Sequence, residues 1–282
     1  MKTSKTNKLT ILSVFAAAII ALLLLGVAGA RPDTSKVGAA NGLSGKALEI
    51  PANAVQVAEN VFSLGQSVDV DGKMVDGFMI IDYKKGAAKP GSATSGATST
   101  CYAFMAKGAK WKTNEPWVLN PANSHGLNGS FLFSNVDYDI SKWELAANKN
   151  IFGSGALTSS ALVADEVSPD GSNELYFGSI ADPGVIAVTI VWGRFSGPMN
   201  QRQLVDWDQV YDDADFGWSA TGEPGKMDFE NIATHEIGHA FGLSHPSSTC
   251  AEETMYAYAD FGETKKRSLN PGDIQGIKAL YP

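Results

Sequence analysis

Cysteine, histidine and positive charge are all scarce in this 282-residue chain, and each shortage narrows what it can do. Two cysteines, Cys101 and Cys250, leave room for a single disulfide. With 22 Lys and Arg against 30 Asp and Glu, the formal net charge is −8. That balance argues against nucleic acid as a partner and offers no basic patch to recruit anionic membranes. Mild acidity otherwise favours solubility and identifies no substrate. The four histidines are distributed unevenly: three fall within the eleven residues His235-Glu236-Ile237-Gly238-His239-Ala240-Phe241-Gly242-Leu243-Ser244-His245.

Residues four apart on a helix lie one above the other and project toward the same point, so His235 and His239 form a pincer. With Zn–N bonds of about 2.0–2.1 Å, two imidazoles one turn apart share one ion and leave room for a third ligand and a water. Glu236 follows the first histidine, about 100° around the helix, a position suited to a general base beside the metal. Gly242 provides the left-handed turn that ends a helix, after which His245 comes round as the third ligand. Ala233, Ile237, Ala240 and Phe241 make an apolar stripe for docking on a core. Asp228 is the N-cap, with Met227 and Ile232 spaced as a hydrophobic staple. An ordinary amphipathic helix would account for His-Glu-x-x-His alone. It does not account for Gly242 and His245 at fixed spacing beyond it.

The stretch resembles the metzincin signature His-Glu-x-x-His-x-x-Gly-x-x-His followed by a Met-turn, for which Glu253-Thr254-Met255-Tyr256 is the candidate. Within the metzincins the chain is similar to the matrixins. Lys110-Trp111-Lys112-Thr113-Asn114 resembles the opening of their catalytic domains, and Ser268-Leu269-Asn270-Pro271-Gly272-Asp273-Ile274-Gln275-Gly276-Ile277-Lys278-Ala279-Leu280-Tyr281 resembles their closing helix. The likeness covers residues 101–282, strongest at the histidines. It implies an α+β fold: a metzincin-type catalytic domain with a mixed, mostly parallel twisted sheet, about three helices, an active-site helix and a Met-turn, preceded by a small β-rich N-terminal region. It also implies one catalytic Zn2+ on His235, His239 and His245, Glu236 as general base, Met255 as an apolar floor under the metal, and hydrolysis of protein or peptide substrates.

By the same resemblance, the β-branched run Val185 to Trp192 is the sheet edge above the cleft, where extended substrate adds as an antiparallel strand. An internal strand without substrate contact fits its apolar content equally well. Two departures stand out. Pro246 follows the third histidine where matrixins commonly carry serine, and only His125 remains for the additional structural zinc of many matrixins. We read His125 as an exposed loop residue and expect no second zinc.

Further elements follow from local pattern. Trp117 to Leu119 is an opening strand, and Ser141-Lys142-Trp143-Glu144 is a capping box that starts a first helix running to about Asn150. Glu174 to Ser179 is extended, Gln203 to Tyr211 is another strand, and Asn270 with Pro271 opens the last helix. Acidic clusters at Asp212, Asp213 and Asp215, or at Asp170 and Glu174, are candidate Ca2+ positions, although such clusters are usually solvated surface.

The N-terminus carries Lys2, Lys5 and Lys8 and then an uncharged, mostly apolar run from Leu9 to Ala30. Ala28-Gly29-Ala30 has the form of a signal-peptidase site, so residues 1–30 are a cleaved export signal or an N-terminal membrane anchor through residues 9–30. Either outcome places the remainder outside the cytoplasm, as a secreted or surface protein that we expect to be monomeric. Residues 31–85 form a prosegment, partly β, with a hairpin at Val68 to Val75, and 86–100 is a flexible linker of small residues. Residues 101–282 form the catalytic domain.

The cysteines admit a Cys101–Cys250 disulfide or, by the matrixin precedent, a zinc-blocking thiol. Residues 31–100 contain no cysteine and Cys101 lacks the family motif around it, which favours the disulfide. A carboxylate among Asp69, Asp71, Asp76 or Asp82 would then cover the zinc in place of the thiol. Two other functions fit the same motif: a zinc hydrolase of cell-wall peptides, and a non-catalytic surface binding protein of the same fold.

Overall fold

The computed structural model describes residues 46–87 and 100–282. The export segment, residues 31–45 and most of the 86–100 linker therefore lie outside the described residues. In chain order the elements are β1 (Val55–Ala58), β2 (Val61–Val68), β3 (Met74–Lys84), β4 (Ala103–Phe104), β5 (Glu115–Asn120), α1 (Gly129–Ala147), β6 (Phe152–Leu157), β7 (Asn173–Gly178), β8 (Val185–Arg194), β9 (Gln203–Asp212), β10 (Trp218–Ser219), β11 (Met227–Asp228), α2 (Phe229–Ala240), β12 (Leu243–Ser244), β13 (Tyr258–Ala259) and α3 (Pro271–Leu280). The main sheet has strand order β1-β2-β3-β8-β9-β7-β5-β6, with β13 against β3. Within residues 101–282 its pairings are antiparallel only at β8–β9, and parallel at β9–β7, β7–β5 and β5–β6. This is the mixed, mostly parallel sheet with three helices that the sequence suggests.

One sheet face packs on the helices through Trp117, Leu119, Val191 and Trp207 against Leu132, Trp143, Ile237 and Phe241. The opposite face carries Val75, Met79, Ile81, Val188, Ile190 and Trp192, covered by Leu48, Ala164 and Ile180. Strand β8 is buried on both faces, as expected from its apolar run.

The first helix differs from the sequence reading. It begins at Gly129, where Asn128 Oδ1 accepts from Ser130 N at 2.9 Å and Phe131 N at 3.2 Å. Leu132, Val136, Ile140, Trp143 and Ala147 recur at helical spacing and are buried, so tertiary packing carries the helix straight through the Ser141 capping box. Glu144, the supposed capping partner, instead accepts from Ile151 N at 2.6 Å and Phe152 N at 2.8 Å beyond the helix end.

The 185–192 strand is internal in this chain, and the edge placement is corrected. β9 flanks it on one side and β3 on the other, both antiparallel. β2 and β3 form the expected hairpin, longer than the 68–75 reading, with Asp69 Oδ1 accepting from Asp71 N at 3.0 Å and Lys73 N at 2.8 Å in its turn. Residues upstream of 88 thus share a sheet with the downstream part. Among the described residues no helix is long and apolar enough to cross a membrane.

Candidate metal centre

α2 starts as its sequence dictates. Asp228 Oδ1 accepts from Asn231 N at 3.0 Å, the same carboxylate binds Arg267, and Met227 and Ile232 are both fully buried. The helix ends before Gly242, which takes φ +101° and has Ala109 O 3.1 Å from where a Cβ would sit. Only glycine meets both demands without strain. The chain then turns, β12 pairs with β4, and His245 follows.

The three imidazoles converge. His239 Nε2 lies 3.1 Å from His235 Nε2 and 3.2 Å from His245 Nε2. Tetrahedral ligands at Zn–N distances of about 2.0–2.1 Å stand about 3.3 Å apart, so these separations fit one ion. His235 Nδ1 pairs with Thr254 O at 2.6 Å and His239 Nδ1 with Leu243 O at 2.9 Å. A carbonyl can only accept, so each Nδ1 carries the proton and each Nε2 turns its lone pair to the shared point. Burial holds all three rings below the ordinary histidine range, His239 at about 4, which keeps them in the neutral, metal-binding form. The donor set fits zinc.

Glu236 is fully buried beside them. Its Oε2 accepts from Thr189 Oγ1 of β8 at 2.5 Å, and its Oε1 has no hydrogen-bond partner. Burial first, and then the nearby Asp82 charge, raise its carboxyl well above the ordinary range, while the Thr189 hydroxyl pulls it down. The other side of α2 is anchored to α1, where Trp143 Nε1 donates to Thr234 O at 2.9 Å and Lys142 Nζ bridges Asp139 and Glu230, both at 2.7 Å.

Met255 is buried against the helix between the two histidines, where a Cβ on Gly238 would stand 2.2 Å from its sulfur. Asp273 of α3 holds this turn by accepting from Thr254 N at 2.7 Å and Met255 N at 3.1 Å. The closing helix therefore secures the backbone that orients His235. Cys101 and Cys250 form the disulfide, tying the start of this region to the loop before Met255.

Two site residues were not legible in the sequence reading, and a third was only one of several candidates. Thr189 is one of many β-branched residues in its strand. Lys266 is fully buried with Nζ donating to Tyr256 O at 2.6 Å and standing 3.4 Å from His235 Nδ1. Asp82 was one of four carboxylates considered, and the structure singles it out: it is 1 % exposed, with one oxygen 3.9 Å from His235 Nε2. Burial raises its carboxyl to about 7, partly offset by Lys266.

His125 lies apart from this centre and is not freely exposed. Its ring packs on Asp213, 3.2 Å from Oδ1. A second cluster of possible donors, Asp165, Asp170 and Asp206, includes one residue of the sequence-based Ca2+ candidates, Asp170. Asp212 instead has its carboxylate engaged by the backbone amides of Ile180 and Asp215.

Residues 195–282 match the Matrixin family. This part of the chain is matrixin-like. Metalloendoproteinase 1 of Glycine max is 41 % identical over 75 residues, 24 % of this chain and 24 % of that protein. Metalloendoproteinase 2-MMP of Arabidopsis thaliana is 37 % identical over 76 residues, 24 % of this chain and 19 % of that protein. Matrilysin of Felis catus is 38 % identical over 69 residues, 24 % of this chain and 25 % of that protein. The alignments with these three relatives thus span about a quarter of their length or less, while the matrixin-like segment contains all three converging histidines, Glu236 and Met255.

Proposed function

We propose that this chain is an exported zinc-dependent endopeptidase, with His235, His239 and His245 holding the metal and Glu236 as general base. The observation that carries the reading is the convergence of three Nε2 atoms, with Nδ1 protons directed away at two of the rings, beside a buried carboxylate. When bound, zinc supplies a Lewis acid that makes a water nucleophilic near neutral pH and polarises the scissile carbonyl. Glu236, through Oε1, would serve as the general base toward the attacking water and return the proton to the leaving amine. Thr189 holds one Glu236 oxygen, leaving Oε1 free for the proton transfer. Met255 supports the floor of the site, and residues 31–85 act as a prosegment. Once the prosegment, and β3 with it, has left β8, substrate takes an extended course along the freed edge, where main-chain hydrogen bonds hold any sequence and pockets read alternate side chains.

The reading includes a structural Ca2+ at the second cluster. Asp206 Oδ1 and Asp208 Oδ1 are buried without partners, and the loop carrying Asp165 and Asp170 folds over them through Asp165 N to Asp208 Oδ2 at 2.8 Å. A hard dication suits such an all-oxygen set.

Zinc content and casein hydrolysis test the proposal, measured on the full chain and its Glu236→Ala variant, each before and after limited proteolysis of the N-terminal segment. One zinc per chain in both proteins is expected, with hydrolysis lost by about 10²–10⁴-fold in the variant. Activity that survives in Glu236→Ala overturns the mechanism. Cleavage of cell-wall peptides without cleavage of casein redirects the assignment to the wall.

A further inference from the structure

Strand β3 places an acidic residue where acid is least expected. Met79-Ile80-Ile81-Asp82-Tyr83 is buried throughout, and Asp82 alone among these five residues is charged. Alternation along the strand puts Ile80 and Asp82 on the side that faces α2, while Met79, Ile81 and Tyr83 enter the opposite core. Both Asp82 carboxylate oxygens lack a hydrogen-bond partner. Burying a carboxylate without one is unfavourable, so a cationic neighbour is expected. Lys266, the nearby cation, donates to Tyr256 O and offsets part of this burial by its charge, without a hydrogen bond to either Asp82 oxygen. What Asp82 does face is the histidine centre: one oxygen stands 3.9 Å from His235 Nε2, and donor atoms of Asp82, His235 and Glu236 all lie within 4.8 Å of one another.

The backbone around Asp82 is arranged like a bound peptide. β3 runs antiparallel to β8, with Ile80 opposite Thr189 and Asp82 opposite Ala187. Its last residues, Tyr83 and Lys84, pair with β13 just past Met255, so this end of the strand is threaded between β8 and β13. The pairing with β8 is interrupted by a bulge between Asp82 and Tyr83, a device that re-aims a side chain. A second stretch of the same N-terminal segment closes the other side. The Glu59 backbone is the polar group facing the His245 ring, although it falls short of regular hydrogen-bond geometry, and the Glu59 carboxylate accepts from Tyr258.

We propose that Asp82 is the fourth ligand of the metal held by His235, His239 and His245, taking the place of the reactive water, and that β3 thereby acts as an internal blocking peptide in the uncleaved chain. This rests on the zinc endopeptidase reading and adds the residue and strand that hold it silent. A carboxylate oxygen is an ordinary fourth donor for zinc, and ligation would relieve the unpaired charge that the fold otherwise buries. The strand supplies main-chain pairing along β8 and Asp82 supplies the metal bond, so substrate and water are excluded together. Release requires β3 to leave β8, which removal of the upstream segment achieves.

The test uses the full uncleaved chain as wild type, Asp82→Ala, Asp82→Asn and Asp76→Asn. The last is a control on the same strand, where Asp76 accepts from Gln66 away from the metal. Three readouts are taken: the rate of zinc loss to a chelator, the visible absorption of the cobalt-substituted protein, and casein hydrolysis without proteolytic activation. Asp82→Ala is expected to lose zinc about 10–100-fold faster, to change the cobalt spectrum and to hydrolyse casein uncleaved, while Asp76→Asn matches wild type. Asp82→Asn preserves side-chain volume and serves should the alanine variant fail to fold, with the same direction expected in all three readouts. Zinc-loading wild type and Asp82 variants with equal chelation rates and identical cobalt spectra overturn the assignment of Asp82 and leave the endopeptidase reading standing. A wild-type chain that holds no zinc overturns both.

Discussion

Gly238 is the tightest point under the histidine helix, and Gly238→Ala sets two opposing effects against each other. At an unhindered helical position, alanine in place of glycine stabilises by about 1 kcal/mol. Here the added methyl would stand 2.2 Å from Met255 Sδ, 2.8 Å from Trp143 Cζ2 and 3.1 Å from Met255 Cε. Ordinary contact begins at 3.4 Å, so the thioether must retreat by roughly 1 Å. Trp143 is pinned by its bond to Thr234 O, and Met255 N is held by Asp273, so neither yields freely. Overpacking of this kind costs about 1–3 kcal/mol, which exceeds the propensity gain over most of its range. The expected net loss is up to about 2 kcal/mol in urea unfolding of the full chain. A displaced Met255 also drags Thr254, whose carbonyl orients His235, so zinc affinity is expected to fall about tenfold. Met255→Ala makes room for the methyl, and the double variant should be less destabilised than the sum of the singles. A Gly238→Ala protein that is more stable than wild type and binds zinc equally well would refute the packing argument.

Two further predictions concern ionisation. Thr189→Val keeps the shape of the side chain but removes the hydroxyl that favours charged Glu236. The acid limb of the rate profile of the proteolytically activated enzyme should therefore move to higher pH, and a limb that stays put or moves down would show that Thr189 does not tune the base. At the acidic cluster, burial and then neighbouring carboxylates raise Asp165 to about 7 and Asp206 to about 8, with Asp208 also well above the ordinary range. The folded protein then holds protons that the unfolded chain releases near pH 4. In urea unfolding, the stability gained when calcium replaces chelator should therefore grow as pH rises from about 4 to about 8, because the cluster must release its protons to bind the ion. No gain from calcium, or a gain that stays flat across this range, would contradict the site.

Local chemistry made the centre of this protein readable in advance. Helical periodicity places His235 and His239 one turn apart, Asp228 caps the helix, and Gly242 ends it with a positive φ; each depends on residues within a few positions. The strands at 115–120, 173–178, 185–194 and 203–212 were legible for the same reason. The first helix was misplaced where local and tertiary signals conflict, because a complete capping pattern at Ser141 lies inside a helix whose buried stripe starts at Leu132.

Sequence by itself determined which residues could ligate a metal and which elements carry them, since intervals of three and four residues translate directly into direction on a helix. Which strand covers β8, which of four carboxylates approaches His235, and which hydroxyl holds Glu236 were decided only by the tertiary structure. Those choices join residues 47 or more positions apart, and strand pairing over such distances is set by the fit of whole faces. Asp82 and Asp76 both lie on β3 and differ in role because one is buried against the histidines and the other meets Gln66 in solvent.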